Sequence, residues 1–271
     1  MYHSRKAKSR LRGWIAVVFA CANFVSAPTV AFGVDVARLL PIGDSITYEA
    51  KYVAPLQAKL REKGYDAPVI ANEGTRSITI GGLDGNINTR LDHPNVNDGN
   101  TYILLMVGIN DLARNEDVLN APSRLGHLIT NIRTIAPLAN LIVAQISPDS
   151  ESSLPGIDAM VRQYNQDIVP VIQGCPGYGT KLRMVDMYSP FISDPQYQSN
   201  PLSYFPDGVH PNQAGGDVMA GVWYRGITVV PEPNGLAILG SAAPIALLLV
   251  AYWQLRRRLC MKRQVRLKYS S

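Results

Sequence analysis

The sequence predicts an α/β protein built on a parallel β-sheet with helices on both faces. Three observations carry that reading. Short apolar runs alternate with helical segments of about ten to sixteen residues through the middle of the 271-residue chain, the order expected of strands joined by helical crossovers. One run, Tyr102-Ile103-Leu104-Leu105-Met106-Val107, is apolar without a break, as suits a strand covered on both faces rather than one. Hydrophobic residues make up 46% of the chain, enough for one substantial core.

The elements follow in order. The first strand is expected over 36–42, and a helix over 52–63 that Gly64 closes. Residues 68–71 form a short second strand and 102–107 the third. A long helix fills 121–136, and 141–144 supply the fourth strand. A helix over 157–172 leads to a fifth strand at 182–185. The last helix is expected over 211–224, with Pro211 in its first turn, where a missing amide costs nothing. In such sheets a site gathers beyond the carboxyl ends of the strands, so motifs that carry chemistry should fall just after strands.

Charge divides the chain into three. Residues 1–33 hold five Lys/Arg and no acid, and 255–271 hold seven Lys/Arg and no acid. Between them, 34–229 carry 14 Lys/Arg against 20 Asp/Glu. The net charge of +5 therefore belongs to the ends, and the acidic body offers no electrostatic footprint for nucleic acid. At the N-terminus, Arg5, Lys6, Lys8, Arg10 and Arg12 precede an apolar stretch over 14–25, the pattern of a signal peptide cleaved after Gly33 or near Ala27. An uncleaved anchor helix is the alternative, and either takes the body out of the cytoplasm.

At the other end, Val230-Pro231-Glu232-Pro233 is followed by an uncharged apolar run over 234–253 and then by Arg256-Arg257-Arg258. About twenty residues at about 1.5 Å each reach about 30 Å, the thickness of a bilayer core, and the arginines would hold their end in the cytoplasm. This arrangement resembles the PEP-CTERM sorting signal of Gram-negative bacteria, which implies an exosortase as partner and removal of the tail. A permanent tail anchor is the alternative. The expected organisation is thus a leader at 1–33, one domain at 34–229 and a tail at 230–271. Cys21 and Cys260 fall in the ends, leaving Cys175 alone in the body, with no intramolecular disulfide and no Cys/His spacing for zinc.

Four short motifs carry chemistry. Gly43-Asp44-Ser45 follows the first strand, where a serine at a strand-to-helix turn presents its hydroxyl beside backbone amides that favour a developing negative charge. Taken alone it is also an ordinary turn and cap. Asp207-Gly208-Val209-His210 precedes the last helix; one loop then offers both an imidazole base and the carboxylate that orients it. Gly108-Ile109-Asn110-Asp111 follows the third strand, and the Asn110 amide is a donor for an oxyanion. Asn72-Glu73-Gly74 follows the second, with the Gly74 amide as a further candidate donor.

Together, Ser45, Gly74, Asn110 and His210, with Asp207 completing a triad, resemble the four blocks of the SGNH/GDSL hydrolases. The resemblance covers about residues 36–227. It implies a flavodoxin-like three-layer α/β/α fold with a five-stranded parallel sheet of order 2-1-3-4-5, and no metal or organic cofactor. It also implies a serine esterase in which Ser45 attacks, His210 is the base, and the Ser45 and Gly74 amides and the Asn110 side chain hold the oxyanion. The flanking residues look like the acetylxylan esterase branch, so an O-acetylated carbohydrate is the expected substrate. One departure stands out: that branch commonly carries a second glycine and a Trp after the block-two glycine, whereas this chain reads Thr75-Arg76-Ser77-Ile78. A lysophospholipase or aryl esterase of the same fold, and a non-catalytic envelope glycan-binding protein, are the competing readings.

Other residues are given humbler roles. His93, in a Pro/Asn-rich loop, and His127, within a helix, are read as surface or packing histidines. Tyr197, Tyr204 and Phe205 are read as packing rather than as a sugar-stacking wall, Asp186 as a turn cap, and Arg76 as a solvated charge or a contact for a polar or anionic substrate.

Overall fold

A computed structural model describes residues 37–150 and 154–228; the leader expected at 1–33 and the tail expected at 230–271 with its apolar run lie outside the described residues. The apolar runs form five strands, β1 (Arg38–Gly43), β2 (Glu73–Gly74), β3 (Thr101–Met106), β4 (Asn140–Ala144) and β5 (Leu182–Val185). They pair in the order β2-β1-β3-β4-β5, all parallel. Every residue of β3 and β4 is buried, as their unbroken apolar character requires of strands covered on both faces.

That order dictates the layers. The chain steps one way from β1 to β2 and the opposite way from β2 through β5, so right-handed crossovers must place their helices on opposite faces. After α1 (Ser45–Glu49), α2 (Val53–Arg61) fills the first crossover. The helices α3 (Ile80–Asp84), α4 (Ile87–Arg90), α5 (Ile109–Ala113), α6 (Ala121–Ile135) and α7 (Ile157–Gly174) follow. Two short helices, α8 (Ser189–Ile192) and α9 (Pro195–Ser199), lead to α10 (Gln213–Thr228). Helix α10 packs on α2, whereas α6 packs on α3, α4 and α7. Between α2 and α10, the buried rings of Tyr52 and Trp223 lie 5.9 Å apart.

Long periodic segments and the short strands at 141–144 and 182–185 fall where the pattern put them; other short segments do not. The second strand differs from its expected 68–71. Val69 bridges Leu39, with the Leu39 amide on the Pro68 carbonyl and the Ile70 amide on the Leu39 carbonyl, both 2.8 Å. The segment then leaves β1 and rejoins it only at Glu73–Gly74. The last helix starts at Gln213 rather than at Pro211, because Asn212 is its cap: Asn212 Oδ1 accepts the Gly215 amide at 3.1 Å, and Asn is among the strongest N-caps. Helices α1, α3, α4, α5, α8 and α9 were not foreseen. Each is only one turn or so, too short to show a period. Among the described residues no helix is long and apolar enough to cross a membrane.

Candidate active site

The turn out of β1 is set by its neighbours. Any side chain at Gly43 would overlap the Met106 carbonyl and the Thr47 hydroxyl, so only glycine lets β1 and β3 stay paired through Gly43 and Met106. Asp44 then caps α1, its Oδ1 accepting the Ile46 amide at 3.0 Å. Ser45 opens the helix, so its amide is one of the donors that has no intrahelical acceptor. Adjacent strands β1 and β3 lie where the direction of the sheet order reverses, the crevice where α/β proteins hold ligands.

The loop before α10 meets this turn. His210 Nε2 lies 2.8 Å from Ser45 Oγ, and His210 Nδ1 lies 2.7 Å from Asp207 Oδ2. The other carboxylate oxygen, Oδ1, accepts the amides of Val209 at 3.0 Å and His210 at 2.7 Å. Partial burial pushes the Asp207 carboxyl upward, but the amide and ring hydrogen bonds of His210 and the Val209 amide outweigh it and hold the group below its ordinary value. A carboxylate fixed on both oxygens fixes the imidazole plane, with Nδ1 as donor and Nε2 free to accept from the serine hydroxyl. Three residues separated by up to 165 positions thus form one hydrogen-bonded chain.

Asn110, just inside α5, donates one Nδ2 hydrogen to the Ile78 carbonyl at 3.0 Å, leaving its second amide hydrogen for another acceptor. Gly74 lies on β2, beside the Ser45 turn. Its amide donates to Asn72 Oδ1 at 3.0 Å and is thereby turned to a local acceptor. Glycine is needed at 74 for space: a Cβ there would overlap the backbone of Thr47 and Tyr48. Asn72 in turn donates to the Thr47 and Tyr48 carbonyls at 3.0 and 3.3 Å, fastening this loop to α1.

Several residues with no local signal build the rest. Asp111 is fully buried; it accepts the Ile80 amide at 3.0 Å and the Arg124 guanidinium at 2.9 Å. Burial pushes its carboxyl up, against those two donors. Arg114 donates to the Ser77 carbonyl at 2.8 Å. Asn110, Asp111 and Arg114, all on or next to one short helix, therefore grip the backbone of residues 77–80. Within that stretch Ser77 takes a left-handed φ of 59°, the region that favours glycine. This is the run that departs from the family pattern. Glu73 is held by His93 at 2.8 Å and Arg90 at 3.3 Å, so His93 braces β2. His127 pairs with Asp84 at 2.7 Å on the far helices, and Tyr197, Tyr204 and Phe205 pack around Phe191.

Asp44 is the group least expected from sequence. Its carboxyl is wholly buried and Oδ2 has no partner among the described residues. Burial raises it to about 7, opposed by the Ile46 amide and the charge of His210. Among the described residues no three His, Cys, Asp or Glu side chains cluster closely enough to hold a metal ion.

A Ser–His–Asp chain at the carboxyl edge of a parallel α/β sheet is an arrangement suited to acyl transfer through a serine. Residues 42–218 match the model of the GDSL-like Lipase/Acylhydrolase family, and the chain belongs to that family, which makes it a carboxylic ester hydrolase. No curated protein matches the sequence. Among solved structures, a member of the lipolytic protein G-D-S-L family from Veillonella parvula is 22% identical, with a TM-score of 0.55, covering 71% of this chain and 97% of that one. The acetylxylan esterase Axe2 of Geobacillus stearothermophilus is 21% identical, with a TM-score of 0.54, covering 71% and 94%. A Clostridium thermocellum family 3 carbohydrate esterase is 22% identical, with a TM-score of 0.51, covering 70% and 94%. At these identities the likeness is one of fold.

Proposed function

We propose that this protein is an exported serine esterase that removes O-acetyl groups from a carbohydrate through an acyl-enzyme. The observation that carries the reading is the unbroken chain Ser45 Oγ, His210 and Asp207, at 2.8 and 2.7 Å. His210 takes the hydroxyl proton as Ser45 Oγ forms a bond to the ester carbonyl carbon. The Ser45 amide and the free Asn110 hydrogen hold the tetrahedral oxyanion. His210 then gives its proton to the leaving alkoxide as the C–O bond breaks. Water repeats the cycle on the acyl-serine, releasing acetate, and Asp207 keeps the ring in one tautomer throughout.

The substrate class is supported by the flanking residues of the motifs, which resemble the acetylxylan esterase branch, and by the carbohydrate esterases among the structural neighbours. Export and processing by an exosortase rest on the leader at 1–33 and the tail at 230–271. A purified body (residues 34–229) is tested by fluorophosphonate labelling and by product. Label at Ser45 and acetate from acetylated xylan support the reading. Fatty acid release from lysolipid in place of acetate makes it a lipid esterase of the same fold. No label at Ser45 makes it a non-catalytic binding protein.

A further inference from the structure

One turn beyond Ser45, the α1 surface carries Tyr48, a large aromatic side chain 51% exposed. Residues three apart on a helix are neighbours, with Cβ atoms about 5–6 Å apart, so Tyr48 borders the proposed nucleophile. The guanidinium of Arg76 lies over its ring, 4.8 Å from the centroid. We infer that Arg76, its guanidinium lying over the Tyr48 ring, selects a carboxylate-bearing substrate, an acylated glycan that contains uronic acid units. The inference rests on the esterase reading above and adds the charge of its substrate.

An exposed arginine is ordinarily a solvated charge; the setting of this one differs in three ways. Its loop is fastened on one side by Asn72 to the Thr47 and Tyr48 carbonyls. On the other side it is fastened by Arg114 to the Ser77 carbonyl and by Asn110 to the Ile78 carbonyl. Arg76 therefore sits on a short span of backbone pinned at both ends, next to the group that holds the oxyanion. Secondly, the guanidinium rests over the Tyr48 ring, 4.8 Å from its centroid. A guanidinium presents its N–H edge to a carboxylate as a two-point fork.

Thirdly, the local charge is uncompensated. The body carries 14 Lys/Arg against 20 Asp/Glu, yet among the described residues neither Arg76 nor Arg114 has a carboxylate within ion-pair distance. Glu49, next to Tyr48 along α1, makes no ion pair with Arg76 either. In a body with acids to spare, two arginines beside Ser77, one next to it in sequence and one bound to its carbonyl, form a positive edge. Arg76 offers the two-point contact, and Arg114, engaged with the backbone, adds charge. A neutral xylan chain would leave that edge without a partner. A uronate carboxylate on the alcohol side of the ester fills it.

The test compares kcat/KM on acetylated oligogalacturonides with that on acetylated xylooligosaccharides for the same protein sample, so the ratio is independent of the folded fraction. The native enzyme should prefer the anionic substrate about tenfold or more at low ionic strength, and salt at about 0.5 M should shrink the preference. Arg76→Ala should bring the ratio near one, and Arg76→Lys, which keeps the charge without the fork, should fall between. A native ratio at or below one, or an Arg76→Ala loss equal on both substrates, overturns the inference. Failure on both glycans with p-nitrophenyl acetate still turned over would instead sink the carbohydrate reading on which it rests.

Discussion

Replacing Asp207 with asparagine isolates the orientation of His210 from every other feature of the site. In the native loop Oδ1 takes the amides of Val209 and His210, while Oδ2 takes the ring Nδ1–H at 2.7 Å. An asparagine keeps its oxygen on the two backbone donors, so its Nδ2 hydrogens face the ring. A donor opposite Nδ1 makes that nitrogen the acceptor and moves the ring proton to Nε2, 2.8 Å from Ser45 Oγ. The nitrogen that must accept the serine proton is then already protonated. In a serine protease with the same constellation this exchange lowers kcat by about 10⁴, or about 5 kcal/mol of barrier. The Asp207 side chain is 57% exposed, so water competes for Nδ1 and weakens the imposed tautomer; a loss of about 10³ in kcat is the expected outcome. KM should barely move, because the carboxamide lies behind the ring, away from the substrate. The assay is steady-state hydrolysis of p-nitrophenyl acetate, with the rate of fluorophosphonate labelling as a second readout. A loss of less than about tenfold in both would show that His210 does not depend on Asp207 for its tautomer, and the reasoning would fail.

Other perturbations test the surrounding structure. Burial holds the Asp44 carboxyl at about 7, above its ordinary value of 3.8, so the native state binds more protons than the unfolded state between those values. Its contribution to stability therefore falls as pH rises from about 4 to about 7, by up to about 4 kcal/mol. Asp44→Asn should remove that slope, which denaturant unfolding of both proteins at pH 5 and pH 8 would read; parallel pH dependences would refute it. Asn110→Ala should lower kcat about 10²–10³-fold with little change in KM, measured on p-nitrophenyl acetate; an unchanged kcat with a raised KM would mean that Asn110 serves binding only. Ser77→Gly should relieve the left-handed strain at φ 59°. It should raise stability by about 0.5–1 kcal/mol after the extra freedom of glycine in the unfolded chain, seen as a rise of about 1–4 °C in Tm.

The reach of sequence reading varies along this chain with the length of the signal. The helices at Ala121–Ile135 and Ile157–Gly174 and the strand at Leu182–Val185 were legible because each repeats its pattern over enough residues, or is bounded by sharp turns. The Asp207–His210 pairing was legible too, since three residues of spacing in one loop suffices to place it. The meeting of Ser45 with His210 was expected only through family resemblance, because nothing local connects residues 165 positions apart. Gly74 shows the same limit: its amide donates to Asn72, two residues away, while the need for glycine there comes from the backbone of α1, which no inspection of 72–74 reveals.

Local chemistry along the chain was enough to establish the α/β class, the parallel sheet, most strands and long helices, and the residue types able to attack, accept a proton and donate to an oxyanion. These follow from periodicity, turn preference and short spacing, which act over a few residues. Tertiary structure alone decided the isolation of Asp44, the brace of Glu73 by His93 and Arg90, and the grip of Asn110, Asp111 and Arg114 on residues 77–80. Each of those depends on atoms from strands or helices brought together by sheet order and close packing. A buried polar group must find its partner wherever the fold places one.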